Sequence, residues 1–134
     1  MSVIAIVAGL TLAGAVGWWL NRRAGVLRET PDGAGPDTAD LGLARGGPTV
    51  VHFSAPWCGP CAGVRRVVEQ VCGELGGVAH REIDIDADPG AARRFSVLSL
   101  PTTLIFDADG RQRYRASGVP TAAALRSALA PLLA

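Results

Sequence analysis

Apolar positions recur along this chain in three rhythms, and each predicts a different kind of element. From Val3 to Leu20 no residue is charged, an unbroken run of about 18 residues that reaches the lower limit for a helix crossing a bilayer. Short, strand-like runs follow. Thr49-Val50-Val51-His52-Phe53 is mostly apolar and β-branched, as a central strand buried on both faces is. Val78 to Asp86 alternates at Ile83 and Ile85, Thr102 to Asp107 makes a third strand, and Asp109-Gly110 turns the chain into Arg111 to Ala116. Helical spacing lies between them. Thr38 to Arg45 is a short helix with Thr38 as N-cap and Gly46-Gly47 as its stop. A longer helix runs from Cys58 to about Leu75, where Gly76-Gly77 ends it, and Pro89 starts another through Phe95. Thr121 caps a last helix carrying Leu125, Leu129, Leu132 and Leu133. Helices and strands intermixed, with one tight hairpin, predict an α/β domain with a mixed central sheet.

The apolar N-terminus is a separate object. It closes on Trp18-Trp19, an aromatic pair suited to headgroup level, followed at once by Arg22, Arg23 and Arg28. A cleaved signal peptide carries its basic residues before the apolar run and a small-x-small exit after it. Here only Met1 and Ser2 precede the run, so residues 1–21 read as a single-pass anchor in the cell membrane, with residues 3–20 inside it. The positive-inside bias puts the arginines, and with them the large C-terminal domain, on the cytoplasmic side. Ala5, Gly9, Ala13 and Gly17 repeat every four residues, a spacing that small residues so frequent in this chain also produce by chance. Two prolines and two glycines between Thr30 and Asp37 read as a flexible linker over residues 22–37. The domain then occupies residues 38–134.

Composition narrows the chemistry. Hydrophobic residues make up 49% of the chain and charged residues 19%, with a formal net charge of +1, a globular balance without the basic stripe of a nucleic-acid binder. All 13 basic residues are arginine. Schiff-base catalysis and a phosphate-binding loop lysine are therefore excluded. The three cysteines do not form a disulfide framework: Cys58 and Cys61 sit in one motif, and Cys72 is left over as a small buried hydrophobe.

Trp57-Cys58-Gly59-Pro60-Cys61 carries the chemistry. A C-x-x-C at a helix start brings two sulfurs together, and the helix N-terminus favours the thiolate of the first. Such a pair exchanges electrons with other disulfides. No cofactor is called for, and a zinc site built from Cys58, Cys61, Cys72 and His80 or His52 lacks converging ligands.

From Val50 to Leu133 the chain resembles thioredoxin. Beyond the dithiol, Ile83-Asp84-Ile85-Asp86-Ala87-Asp88-Pro89-Gly90 is similar to the family's strand-to-helix passage, and Ser99-Leu100-Pro101-Thr102 to its cis-proline loop. Gly118 and Val119 are similar to the loop flanking its substrate groove. The resemblance implies a thioredoxin fold, preceded here by one transmembrane helix, and a reductant of protein disulfides. It makes Cys58 the attacking nucleophile and Cys61 the resolving thiol. Gly59-Pro60 sets the turn and is associated with reducing members. Pro101, with its bond cis, would face Cys58, and the Leu100 backbone would pair with substrate. Trp57, Pro60, Gly118 and Val119 would complete a shallow apolar groove. Electrons would come from thioredoxin reductase, or from a membrane thiol donor if the domain faces outward and serves cytochrome maturation or envelope disulfide repair.

Departures from the family accompany these matches. His52 stands where the family has a buried acid beneath the resolving cysteine, so it is either a proton relay for Cys61 or a core imidazole without a catalytic part. Ala62 replaces a frequent lysine, Val64-Arg65-Arg66 a helix-kinking proline, and Glu82 a lysine near the buried acid. A glutathione-using enzyme fits the Trp-Cys-Gly-Pro-Cys string less well. A non-catalytic docking or chaperone module would not need both cysteines.

Overall fold

The computed structural model describes residues 2–31 and 35–134. Helix α1, Ser2–Asn21, stands apart, with its described side chains exposed. Over Val3–Asn21 it is long and apolar enough to cross a membrane, with a mean hydropathy of 2.0. The other described residues form a five-stranded sheet with helices on both faces. The strands are β1 (Arg28–Glu29), β2 (Thr49–Ser54), β3 (Ala79–Asp84), β4 (Thr102–Phe106) and β5 (Gln112–Ser117). Their order is β1-β5-β4-β2-β3. Only β2 and β3 run parallel, so the sheet is mixed.

Alternation along β2 sends its side chains into two different cores. On one face Val50 packs with Val64, Val68 and Val71 of helix α2 (Cys61–Leu75) and with Leu125 and Leu129 of helix α4 (Ala122–Leu129). The buried positions of α2 step by three and four residues, the stripe of a helix lying on a sheet. On the other face Val51 and Phe53 meet Leu104, Phe106 and Phe95, beside the short helix α3 (Pro89–Arg94). All six residues of β2 are buried, as expected of a central strand.

Local chemistry adjusts several expected boundaries. The helix expected over Thr38 to Arg45 is only a 3-10 turn, Ala39–Leu41, because Gly42 enters the left-handed region at φ +63 and Thr38 makes no capping bond. Leu41 nonetheless plugs the second core. Helix α2 begins at Cys61, not Cys58, so Cys58 lies in the turn before it. Asp88 and Thr121 cap α3 and α4 by accepting from the amides of Ala91 and Ala124.

The expected linker over residues 22–37 needs the larger correction, part of it falling on residues 32–34, outside those described. Arg28–Glu29 is a strand, paired antiparallel with Arg115 and Tyr114 of β5. Leu27 packs against the α2–α4 core, and the buried Gly25 donates its amide to the Ser117 carbonyl. The domain thus begins to hold the chain within four residues of the end of α1. Two-residue strands have no periodicity to read. Their pairing depends on an edge more than 80 positions away.

Candidate active site

Register places the site at one end of the sheet. Phe53, Thr102 and Ser117 are aligned across β2, β4 and β5. Ala55 to Cys58, Leu100-Pro101 and Gly118-Val119 therefore emerge together from that end. The Gly118 amide donates to the Pro101 carbonyl at 2.9 Å, tying two of these segments to each other. The Leu100–Pro101 peptide bond is cis. Within the turn, the Cys58 amide donates to Ala55 and the Trp57 indole to Asp86 Oδ2 at 3.2 Å.

Cys58 and Cys61 are joined as a disulfide, with Cα atoms 5.5 Å apart. The two sulfurs differ in access. Cys58 is half-buried, whereas Cys61 is 2% exposed beneath it, at the first residue of α2. Trp57 stands out at 68% exposed and Val119 at 37%. Pro101 is buried and Leu100 and Gly118 are half-buried, so Trp57 and Val119 supply the exposed apolar surface among the residues expected to form the groove. A neighbouring loop residue absent from the expected groove, Leu98, is 94% exposed. A leucine in an irregular stretch carries no periodic signal of its own.

Thioredoxin is the family model that matches this architecture, over residues 42–131. The chain belongs to the thioredoxin family. Curated relatives include thioredoxin of Mycolicibacterium smegmatis, 42% identical over 89 residues, covering 64% of this chain and 79% of the relative. Thioredoxin of Chlamydia muridarum is 41% identical over 73 residues, covering 54% of this chain and 71% of the relative. Among solved structures, an N21Q mutant thioredoxin from Halobacterium salinarum superposes with a TM-score of 0.59 at 31% identity, covering 65% of this chain and 75% of that one. With its paired cysteines, this member of the family is a thiol–disulfide oxidoreductase acting as a protein-disulfide reductase.

Next along β2 from Phe53, whose carbonyl lies 4.0 Å from Cys61 Sγ, the chain carries a polar cluster. His52 is fully buried on β2, in register with Glu82 of β3 and Thr103 of β4. Its Nδ1 is 2.7 Å from His80 Nε2, and its Nε2 lies 3.4 Å from Glu82 Oε1 without the alignment of a hydrogen bond. Two imidazole nitrogens at that distance share one proton. The carboxylate beside Nε2 favours the tautomer with hydrogen on Nε2, leaving Nδ1 to accept from His80.

Glu82 also accepts from Ser54 Oγ and from both arms of Arg65. The Arg65 guanidinium, against the opposing cost of burial, pulls the Glu82 carboxyl down to about 2. Burial, reinforced by His80, lowers His52 to about 4, so it is neutral at physiological pH. One nitrogen of the buried ring, Nε2, has no hydrogen-bond partner among the described residues. Thr103 Oγ1, in register beside it, is likewise buried and unpartnered.

Sequence reading singled out His52 but missed His80 and Arg65 as its surroundings. The parallel β2–β3 register brings His80 and Glu82 to His52, and Arg65 joins from α2 through Glu82. Cys72, expected to be buried, is only half-buried against the α2–α4 core, and burial pushes its thiol up.

Proposed function

We propose that this chain is a membrane-held reductant of protein disulfides, cycling through a mixed disulfide on Cys58. The half-exposed Cys58 bonded to a buried Cys61 is the observation that carries this reading. In the reduced enzyme the Cys58 thiolate, favoured by the N-terminal end of α2, attacks one sulfur of a substrate disulfide. The substrate S–S bond breaks, its far sulfur leaves and takes a proton, and Cys58 is left in a mixed disulfide. Cys61 then loses its proton, attacks Cys58 Sγ and closes the Cys58–Cys61 bond. The substrate departs with two electrons and two protons gained. Thioredoxin reductase or a membrane thiol donor restores the dithiol.

Leu100, Pro101, Gly118 and Val119, with Trp57, Gly59 and Pro60, form the groove that receives the substrate backbone. For His52 to take the Cys61 proton during resolution, its ring first gives up the Nδ1 bond from His80 or passes its Nε2 hydrogen to Glu82. Its depressed pKa makes it a transient holder, and the nearby Glu82 carboxylate supports the charged imidazole while it exists.

The anchor reading draws on the apolar length of α1 and on its aromatic and arginine terminus. Arg22 stacks over Trp18 at 3.6 Å and Arg23 over Trp19 at 3.9 Å, an arrangement suited to an interface belt. The docked segment beyond them favours an anchor that stays attached. The same arginines put the domain on the cytoplasmic side.

Reduction of insulin disulfides by the full-length chain tests the activity, and no turnover above a Cys58→Ser control would refute it. Labelling of Cys58 in intact, reduced cells by a membrane-impermeant thiol reagent would overturn the cytoplasmic side and favour an envelope reductant.

A further inference from the structure

The juxtamembrane turn leaves the anchor no slack, and it docks on the substrate groove itself. Arg23 and Ala24 bond back to Leu20 and Asn21, and the next residue, Gly25, is already bonded to Ser117. A Cβ on Gly25 would stand 2.1 Å from the Val119 carbonyl oxygen, and one on Gly118 would stand 2.9 Å from the Gly25 nitrogen. The two backbones touch because both residues are glycine, at φ +78 and +91. Beyond Gly25, β1 pairs with β5. The chain that follows β1 leads on to the 3-10 turn and so returns from the domain to the domain. It separates nothing from the membrane.

Four residues from Asn21 to Gly25 span at most about 14 Å even when fully extended. The headgroup layer beyond the hydrocarbon is about 6 Å deep on each side. The Val119 loop, with the exposed apolar rim of Trp57 and Leu98 at the same sheet end, is therefore held at the bilayer surface. The geometry points to a partner in the same membrane: the groove takes a disulfide at the membrane-proximal end of another integral membrane protein. This rests on the anchored-reductase reading above, and the chemical step is the same two-electron exchange. A domain on a loose tether would instead sweep the aqueous phase and favour no height. The fixed rim meets substrates whose disulfides lie near the headgroups.

The full chain in phosphatidylcholine vesicles provides the test, set beside a variant with about fifteen Gly/Ser residues inserted between Arg23 and Ala24. The same insertion after Gly35 serves as the control, since it lengthens the chain without freeing the anchor. A disulfide-closed peptide is attached to a lipid headgroup by either a short or a long flexible spacer. The native chain and the Gly35 control should reduce the short-spacer peptide about tenfold faster than the long one, and the Arg23 insertion should lose most of that preference. Cys58 labelled with a fluorophore, in a chain carrying Cys61→Ser and Cys72→Ser, gives an independent distance by energy transfer to headgroup acceptors. A narrow, short distribution is expected, broadened by the Arg23 insertion. Equal spacer dependence in all three chains, or an equally broad distribution in all, would overturn the proposal while leaving reductase activity intact. A chain that does not float with vesicles would remove the membrane reading beneath it, and one that reduces neither peptide nor insulin would remove the reductase reading.

Discussion

Two turns meet at the catalytic end of the sheet, and they are held there by different means. The dithiol turn adds side-chain ties to its backbone bond, from the Cys58 amide to Ala55: Cys58 bonds to Cys61, and the Trp57 indole reaches Asp86. The juxtamembrane turn is secured by backbone. Gly25 donates to Ser117 and lies against Gly118 and Val119 where no Cβ fits. One turn carries the reacting sulfurs; in the proposal above, the other sets where they can reach. Removing a functional group should cripple the first and spare the second. Adding a methyl group should do the reverse.

The largest effect expected lies in the dithiol turn. Cys58→Ser should reduce insulin-disulfide turnover to background while leaving the melting temperature of the reduced protein nearly unchanged. Cys61→Ser should still attack but fail to resolve, so that non-reducing electrophoresis displays a stable adduct with substrate. An adduct formed equally by Cys58→Ser would assign the nucleophile to the wrong sulfur.

Acid should separate the two regions next. His52 is held neutral with its pKa lowered to about 4, whereas in the unfolded chain it takes up a proton near 6.5. Its neutral burial therefore contributes fully above pH 6.5, and that contribution, about 3 kcal/mol, is lost as pH falls towards 4. His80 is lowered by burial as well and slopes the same way. The Glu82 carboxyl, held near 2 by Arg65, adds a second loss below the ordinary carboxylate range. Denaturant titrations between pH 7 and pH 4 should show this decline, and His52→Leu should flatten most of it. If resolution of the mixed disulfide also loses its pH dependence in His52→Leu, the proton-acceptor role gains direct support. An unchanged kinetic profile in a folded variant would reduce His52 to a core residue.

These two regions differed just as sharply in how far they were legible beforehand. The dithiol announced itself because its two reactive residues stand close together in sequence, and the Pro101 loop and Gly118-Val119 were legible through the resemblance to the thioredoxin family. β2 did so through its β-branched run. The juxtamembrane dock was hidden because its determinants are the absence of side chains at Gly25 and Gly118, 93 positions apart, and a two-residue strand. Composition reads such glycines and prolines as a tether. The His52 cluster was half legible: burial of an imidazole followed from its strand, but its neighbours followed from a parallel register that no local pattern encodes.

A smaller perturbation sharpens the comparison at the point where the turns touch. Gly118→Ala should destabilise the domain by about 1–3 kcal/mol, since a left-handed residue with a side chain is strained whatever space surrounds it. Gly25→Ala faces a harder clash but has an escape. Its turn can lift from Val119, so the cost is capped by the docking energy it forfeits. Thermal unfolding should therefore fall further for Gly118→Ala, while only Gly25→Ala should make the segment around Gly25 newly sensitive to protease with insulin reduction retained. A larger loss of stability in Gly25→Ala would mean that the juxtamembrane turn is part of the domain's cooperative unit.

The smallest effect comes from a residue beside the groove that belongs to neither turn. Thr121 accepts from the Ala124 amide at 3.1 Å and so closes the first turn of α4, two residues after Val119. Losing an N-cap oxygen costs about 1 kcal/mol, and α4 is otherwise held by Leu125 and Leu129 in the core. Thr121→Ala should lower the melting temperature by a few degrees, and Thr121→Ser should restore it because the serine hydroxyl caps equally well. Insulin reduction and the spacer preference should both persist, since the substitution touches neither the sulfurs nor the Gly25–Gly118 contact. A changed spacer preference in Thr121→Ala would mean that the height of the groove depends on the helix behind it. The two glycine backbones would then not be enough to hold the site at the membrane.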